Sequence, residues 1–277
     1  MTQVSPPRPI DVRGLFAKDR DALLELLVAL DTADWTTATV CAGWNVHDVA
    51  LHILDGDLTG VSRRRDGLRV TEPRPGEGRG SFLNRINKEW VSVARRLSPR
   101  VTLELLRVSG PPLFAYLEAL DPLTFGEPVS WAAPGSAPVW LDVAREYMER
   151  WVHQQHIRDA VGRPGQGEPE FVRPVIAASM NALPIALARH ATGDARSIVV
   201  EIDGAAGGVW SVLKQTGEWE LFEGASSAAR TRVSVGADEW WRVVTLGMRP
   251  EDAWAKARID GDPDLARAIF AAVAILA

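Results

Sequence analysis

The feature of this sequence that most constrains its fold is a change of pattern near residue 196. Before that point, apolar residues recur at helical spacing, as in the leucine-rich stripe between residues 15 and 30. After it come short stretches rich in β-branched residues, beginning with SIVVEID and VWSVLK and separated by glycine-containing turns. The pattern predicts a helical part followed by an α+β part.

The helical part is predicted to be a bundle of antiparallel helices. Helices are expected at about residues 11–31, 45–67, 81–98, 99–120 and 140–161. Asn45 is a typical N-cap for the second of them, and Gly162 with Pro164 should end the last. One more helix, interrupted at Pro184 and closed by residues 192–196, precedes the strands. A chain of 277 residues favours two domains, which we place at 1–165 (helical) and 166–277 (α+β).

Composition excludes several classes of function. The net charge is −5, and no basic cluster is denser than the run Arg63 to Arg65, which argues against a nucleic-acid partner. Cys41 is the only cysteine, so an intrachain disulfide is impossible and a reducing compartment is expected. No segment looks like a signal peptide or approaches the ~20 apolar residues of a membrane span. We therefore expect a cytoplasmic protein with no membrane partner.

The stretch REYMERWVHQQHIRDAVGRP, residues 145–164, has the clearest chemical pattern. Successive residues of an α-helix turn by about 100°, so Glu149, His153 and His156 share one face. That face also carries apolar residues such as Val152 and Ile157, and is therefore predicted to point inward. Three polar residues are expected on the opposite side: Gln154, Gln155 and Arg158.

An inward carboxylate and imidazoles must be compensated, because burying them unpaired costs several kcal/mol. Glu149 and His153 can supply two ligands to one divalent cation, and Zn²⁺ accepts such N and O donors readily. A third ligand must come from another helix, where His52 is a better candidate than His47 or His190. The alternative is a hydrogen-bonded core network or a salt-bridge cluster without metal.

Two motifs resemble a known family. WTTATVCAGWNVHDVALHILDGD, residues 35–57, and ERWVHQQHIRDAVGRP, residues 149–164, are similar to the DinB-like, mycothiol-dependent maleylpyruvate isomerase family. The resemblance implies a metal-binding four-helix bundle with His52, Glu149 and His153 as ligands, and mycothiol as the thiol cosubstrate. A third stretch, IDGDPDLARAIF, resembles the small sterol-carrier-like α+β domain attached in the same family.

The resemblance implies an enzyme that works on a thiol. Two histidines and one carboxylate leave an open position on zinc, where a bound thiol ionises near neutral pH. The expected reaction is isomerisation of a small electrophile, or transfer of the thiol to it. Cys41 is expected to be a small packed residue beside Gly43 and Trp44, because the family's sulfur comes from mycothiol.

Several roles stay open. His156 is the candidate catalytic residue, as a general acid or base, but it would equally orient a ligand or pack as a neutral core histidine. Asp48 or Asp55 would accept a hydrogen bond from the second ring nitrogen of His52. The resemblance also implies that the C-terminal part contributes substrate contacts, so an arginine there is expected to bind a substrate carboxylate, and three are candidates: Arg230, Arg232 and Arg249.

Two other functions compete with a thiol-dependent isomerase or transferase. One is a non-catalytic binding or stress-related protein that retains the bundle and the metal. The other is a metal-dependent hydrolase, ranked last because no general base like that of a zinc protease is visible. The expected partners are a small electrophile and a low-molecular-weight thiol, with the chain as a monomer or homodimer.

Overall fold

The computed structural model describes residues 4–133, 135–191 and 196–274 of the chain. The chain divides into two compact units. The helical unit comprises Arg13–Leu120 and Glu149–Gly165, and the sheet unit comprises Met1–Val12, Asp121–Met148 and Gln166–Ala277. One of these boundaries coincides with the expected division after residue 165, but residues 1–12 and 121–148 group with the C-terminal part.

Hydrogen bonds inside the sheet unit account for this grouping. Ser5 exchanges two backbone hydrogen bonds with Glu223, at 3.1 and 2.8 Å, and Arg8 donates to the carboxylate of the same residue. The hydroxyl of Tyr147 donates to the carbonyl of Phe171 at 3.2 Å. Segments far apart in sequence are therefore tied to the C-terminal part of the chain, which a pattern of consecutive helices does not reveal.

The helical unit contains four complete helices and most of a fifth. Their bounds are α1 Phe16–Val28, α2 Val46–Gly60, α3 Arg79–Ala94, α4 Pro99–Glu118 and α5 Val139–Ala160. Buried residues of α1, α2, α4 and α5 form one apolar core, with Leu23, Leu54, Leu106 and Ile157 among its members. Trp90 of α3 donates from Nε1 to the carbonyl of Leu51 at 2.9 Å. The predicted bundle is confirmed as four core helices with α3 packed on α2.

The start of α2 is fixed by a capping box, as Asn45 predicts. Its side chain accepts from the backbone N–H of Asp48 at 3.0 Å, and the carboxylate of Asp48 accepts from the backbone N–H of Asn45 at 3.1 Å. Arg95 makes a two-pronged ion pair with Asp48, at 2.8 Å to each oxygen. The register of α2, and with it the direction of His52, is set at this end of the helix.

The sheet unit is α+β, as predicted. Its elements after α5 are α6 Pro169–Met180, α7 Leu183–His190, β1 Ser197–Asp203, β2 Gly208–Gln215, β3 Glu218–Glu223, β4 Thr231–Gly236, α8 Ala237–Val244, α9 Pro250–Lys256, β5 Arg258–Asp260 and α10 Pro263–Phe270. The strand order is β3-β2-β1-β4-β5. Only the β1–β4 pair is parallel among these described strands. The central strand β1 buries Ile198, Val199 and Val200, as its β-branched sequence indicates.

The run before the strands differs from expectation in two ways. It breaks at Asn181 and Ala182 rather than at Pro184, which lies in the first turn of α7, where a missing N–H is tolerated. The run Pro169–His190 is also long and apolar enough to cross a membrane, by length and composition only, and 61% of its most apolar window is buried inside the protein. The expectation that no segment is long and apolar enough for a membrane span is thus wrong. The burial of this run is nevertheless typical of core helices. Residues 192–195, expected to close this run, lie outside the described residues.

Candidate metal site

Three polar side chains meet between α2 and α5. Nε2 of His52 lies 3.6 Å from Oε1 of Glu149, and Nε2 of His153 lies 3.5 Å from the same oxygen. The three ligand atoms all lie within 4.8 Å of one another. The rings of His52 and His153 are nearly perpendicular, with centroids 4.8 Å apart. The structure therefore brings together the three residues predicted as metal ligands.

The spacing of these atoms fits a divalent cation. Separations of 3.5 and 3.6 Å exceed the normal N–H···O range of about 2.7–3.2 Å. Two ligands about 2.0–2.1 Å from a tetrahedral zinc ion are about 3.4 Å apart. The donor set of two imidazole nitrogens and one carboxylate oxygen is also one that zinc accepts.

The three side chains form a gradient of exposure. The side chain of Glu149 is 28% exposed, that of His52 is 13% exposed and that of His153 only 3% exposed. Within the helical unit, solvent thus reaches the carboxylate side of the cluster and is kept from the His153 side. Trp44 covers His52, with ring centroids 5.1 Å apart.

The electrostatics of the cluster keep both α5 residues in the forms that bind metal. Burial would raise the pKa of Glu149, but the imidazoles of His153 and His52 outweigh it and hold that pKa well below its ordinary value. Burial lowers the pKa of His153 from its ordinary value, and Glu149 opposes this only in part. A carboxylate and a neutral imidazole are therefore favoured at neutral pH.

Cys41 lies beside this cluster, a contact that the sequence did not predict. Its Sγ is 3.3 Å from Nδ1 of His156 and 3.9 Å from Nδ1 of His153. A tight turn directs it inward: the N–H of Trp44 donates to the carbonyl of Cys41 at 2.9 Å, and Gly43 adopts a φ of +79° that favours glycine. No spacing rule links a loop cysteine to a histidine on a distant helix.

Cys41, His153 and His156 form a second group of possible ligands that shares His153 with the first. All three are buried, and His156 is 1% exposed. Burial raises the pKa of the Cys41 thiol to about 11, the charge of Glu149 adds to this, and Thr39 opposes it. Without a bound cation the thiol is therefore neutral at neutral pH, which makes it a poor nucleophile.

The expectation that Asp48 or Asp55 accepts a hydrogen bond from the second ring nitrogen of His52 is wrong. Asp48 is engaged by Arg95 and by the capping box. Within the described part of the chain, Nδ1 of His52 is buried and makes no hydrogen bond, so Asp55 does not accept from it either. Burial raises the pKa of Asp55 to about 6, against the lowering influence of His52.

The other two histidines weighed as a third ligand lie elsewhere. Nε2 of His47 is 3.0 Å from the hydroxyl of Thr102, and burial lowers the pKa of this histidine. His190 belongs to the sheet unit. His52 is thus the histidine that the fold places beside the α5 pair.

The prediction that one face of α5 points away from the protein interior is wrong. Gln154 and Gln155 are 0% and 3% exposed, and Gln154 donates from Nε2 to the carboxylate of Asp19 at 2.8 Å. Arg158 is partly buried and donates to the amide oxygen of Gln154 at 3.2 Å. The prediction assumed an amphipathic helix, whereas this part of α5 is enclosed on both sides.

A buried network of ion pairs and hydrogen bonds connects α5 to three other helices. Asp57 of α2, at 0% exposure, accepts from Arg20 at 2.7 Å, from the hydroxyl of Ser109 at 2.6 Å and from Arg150 at 3.3 Å. Next to it, burial raises the pKa of Asp19 to about 7, although Arg20 and Arg150 lower it. These groups join α1, α2, α4 and α5, and sequence spacing gives no sign of them.

The three arginines considered for a substrate carboxylate all lie in the sheet unit. Arg232 donates to Glu201 at 3.3 Å, and Arg249 makes a two-pronged pair with Asp252 at 2.9 Å to each oxygen. Arg230 is exposed. Arg232 and Arg249 thus both contact carboxylates of their own unit.

Comparison with known proteins identifies one family. The model of the mycothiol maleylpyruvate isomerase N-terminal domain matches residues 16–158. Among solved structures, a mycothiol-dependent maleylpyruvate isomerase is similar, with 14% identity, a TM-score of 0.51 and coverage of 84% of this chain and 87% of that chain. A histidine-to-alanine mutant of such an enzyme has the same identity and coverage and a TM-score of 0.49. No curated protein matches significantly.

Proposed function

Because this chain belongs to the family of the mycothiol maleylpyruvate isomerase N-terminal domain, we propose that it is a metal-dependent enzyme acting with a thiol. The thiol is mycothiol, and the reaction is isomerisation of a small electrophile or transfer of the thiol to it. The observation that carries this proposal is the convergence of His52, Glu149 and His153 at separations suited to one cation. Zn²⁺ is the ion that we infer for these donors.

The three ligands would hold the ion in an open site. Zinc bound by two histidines and one carboxylate retains a position for an outside sulfur and lowers the pKa of a thiol there. Glu149 and His52 lie on the solvent-reachable side, where a small thiol would approach, whereas His153 closes the buried side. Trp44 offers an apolar surface next to His52 for the thiol or the electrophile.

Cys41 is not the reacting sulfur in this proposal. It is only 6% exposed and burial raises its pKa, which supports a nucleophile supplied by a cosubstrate. Of the three roles open for His156, its 1% exposure and its contact with Cys41 favour orientation of a neighbour over proton transfer with substrate. A lone reduced cysteine also suits the cytoplasm, which we propose as its location.

Metal content is the first test. Elemental analysis of the purified protein should find about one zinc per chain, and His52→Ala should lose it. His47→Ala is the matched control, because it removes a partly buried imidazole of the same helix outside the cluster. Full retention of zinc in His52→Ala would exclude the assigned ligands.

Thiol binding is the second test and separates an enzyme from a non-catalytic metal protein. With cobalt in place of zinc, the visible spectrum should change saturably when mycothiol is added. A spectrum that does not respond would favour the non-catalytic alternative.

A further inference from the structure

The imidazole of His153 has a different neighbour at each ring nitrogen. Nε2 lies 3.5 Å from Glu149, within the candidate metal site, and Nδ1 lies 3.9 Å from Sγ of Cys41. A neutral imidazole has one N–H and one lone pair. If Nε2 presents its lone pair to a metal, the proton must be on Nδ1, and that N–H points at the sulfur.

The sulfur can accept this hydrogen bond only if its own proton points elsewhere. The closer imidazole nitrogen is Nδ1 of His156, at 3.3 Å from Sγ. A thiol has one S–H donor and accepts weakly through sulfur. The two contacts allow an arrangement in which His153 donates to Cys41, and Cys41 donates to His156, which accepts at Nδ1 and carries its own proton on Nε2.

We propose that Cys41 is a positioning residue, whose thiol sets the tautomers of His153 and His156 and turns the Nε2 lone pair of His153 toward the metal site. This inference rests on the proposed function in that the lone pair has a metal to bind. It gives the buried thiol and His156 a joint role, since ligating histidines usually donate their second ring N–H to a fixed partner.

Burial strengthens this series of hydrogen bonds. Cys41, His153 and His156 are 6%, 2% and 1% exposed, so solvent does not compete for their protons. The backbone N–H of Cys41 donates to the hydroxyl of Thr39 at 3.2 Å, and that hydroxyl donates to the carbonyl of Trp44 at 2.9 Å. The loop therefore holds the sulfur in place independently of the histidines.

Infrared spectroscopy can test these hydrogen bonds directly, because Cys41 is the only cysteine and gives the only S–H stretching band. In the metal-free and the zinc-loaded wild type, the band should be present and shifted to the low frequency of a donating thiol. His156→Phe keeps a ring but removes the acceptor, and should move the band to higher frequency. His156→Asn offers an amide oxygen near the same place and should restore the shift, whereas His47→Ala should leave the band unchanged.

Two infrared results would overturn the proposal. One is a band at the same frequency in the wild type and in both His156 variants, since the thiol would then not donate to His156. The other is loss of the band when zinc is added, because Cys41 would then be a thiolate ligand of a Cys41, His153 and His156 site.

Zinc affinity supplies the second readout. Cys41→Ala removes the acceptor for the N–H of His153 and should weaken zinc binding by about tenfold, the lower end for loss of an outer partner of a ligand. Cys41→Ser keeps a donor and an acceptor and should recover part of the loss. Equal affinities for wild type and Cys41→Ala, measured by competition with a chelator, would refute the positioning role.

The two readouts also separate this proposal from the proposed function. If the wild type binds no zinc but the S–H band responds to the His156 variants, the metal assignment is wrong. The hydrogen bond from Cys41 to His156 is then still supported. If zinc binds through His52 but the band and the Cys41→Ala affinity do not change, the positioning role fails alone.

Discussion

Nε2 of His52 on α2 lies 3.6 Å from Oε1 of Glu149 on α5, and this oxygen also faces His153 at 3.5 Å. One carboxylate thus stands between two imidazoles that come from different helices. Its negative charge balances part of the charge of a cation held between two neutral rings, and it supplies the hard oxygen of the donor set.

Glu149→Gln should therefore weaken zinc binding by more than about 100-fold, beyond the effect of losing an outer partner. The amide keeps the shape of the side chain but not its charge. The measurement is the zinc dissociation constant by chelator competition. Glu104→Gln, on the exposed surface of α4, is the control and should bind zinc as the wild type does. Equal affinity in both variants would exclude Glu149 as a ligand.

Asp57→Ala should lower the free energy of unfolding by about 3–5 kcal/mol, because it removes a carboxylate that the buried guanidinium groups of Arg20 and Arg150 both contact. Urea unfolding followed by circular dichroism measures the change. Removing the exposed partner Arg100 from its pair with Glu104 should cost no more than about 0.5 kcal/mol. A similarly small loss at Asp57 would show that the network does not stabilise the fold.

Asp19 should make stability fall as pH rises. Burial raises its pKa in the folded chain from the ordinary 3.8 to about 7, so the folded state holds the proton more tightly than the unfolded state. This contribution is fully present below about pH 4 and is lost as pH rises toward 7. Asp19→Asn lacks it.

The measurement is the difference in unfolding free energy between wild type and Asp19→Asn from pH 4.5 to 7.5. The wild type should lose up to about 1.4 kcal/mol per pH unit relative to the variant. All other titrating groups are common to both proteins, so parallel stability curves would mean that Asp19 is ionised in the fold throughout this range.

Two helical glycines should respond in opposite ways to alanine. A Cβ at Gly110 would lie 2.8 Å from the ring of Phe114 and 2.9 Å from Nη1 of Arg20, which donates to the carbonyl of Leu106 at 2.6 Å. Gly110→Ala should therefore destabilise by about 1–3 kcal/mol. At Gly56 the nearest atom is 3.6 Å away, so alanine there should stabilise by about 0.5–1 kcal/mol through helix propensity. Thermal unfolding of the two variants distinguishes crowding from propensity.

The parts of this structure that sequence predicts are those governed by local periodicity. Helical spacing alone places Glu149 and His153 on one face, the cap at Asn45 fixes where α2 begins, and β-branched residues mark β1 to β4. The short elements α9 and β5 escape such reasoning, because seven and three residues are too few to establish a period.

The features that the sequence does not predict are those that depend on which other elements pack around a helix or loop. The expectation for Gln154 failed because periodicity gives direction around a helix but not whether that direction meets solvent or another helix. The contact of Cys41 with His156 depends on a loop conformation, and the pairing of Asp57 with Arg150 on the packing of two helices. Neither leaves a mark in the spacing of residues.

The helical unit is built from two separate stretches of chain, and this has a consequence for synthesis on the ribosome. Asp57 obtains Arg20 and Ser109 from the first stretch, but Arg150 arrives only after the intervening segment 121–148 has been made. Until then, the nascent α1 to α4 lack the helix that fills their core and balances their charge. The core of this unit and the charge balance of Asp57 can therefore be completed only when α5 has emerged from the exit tunnel.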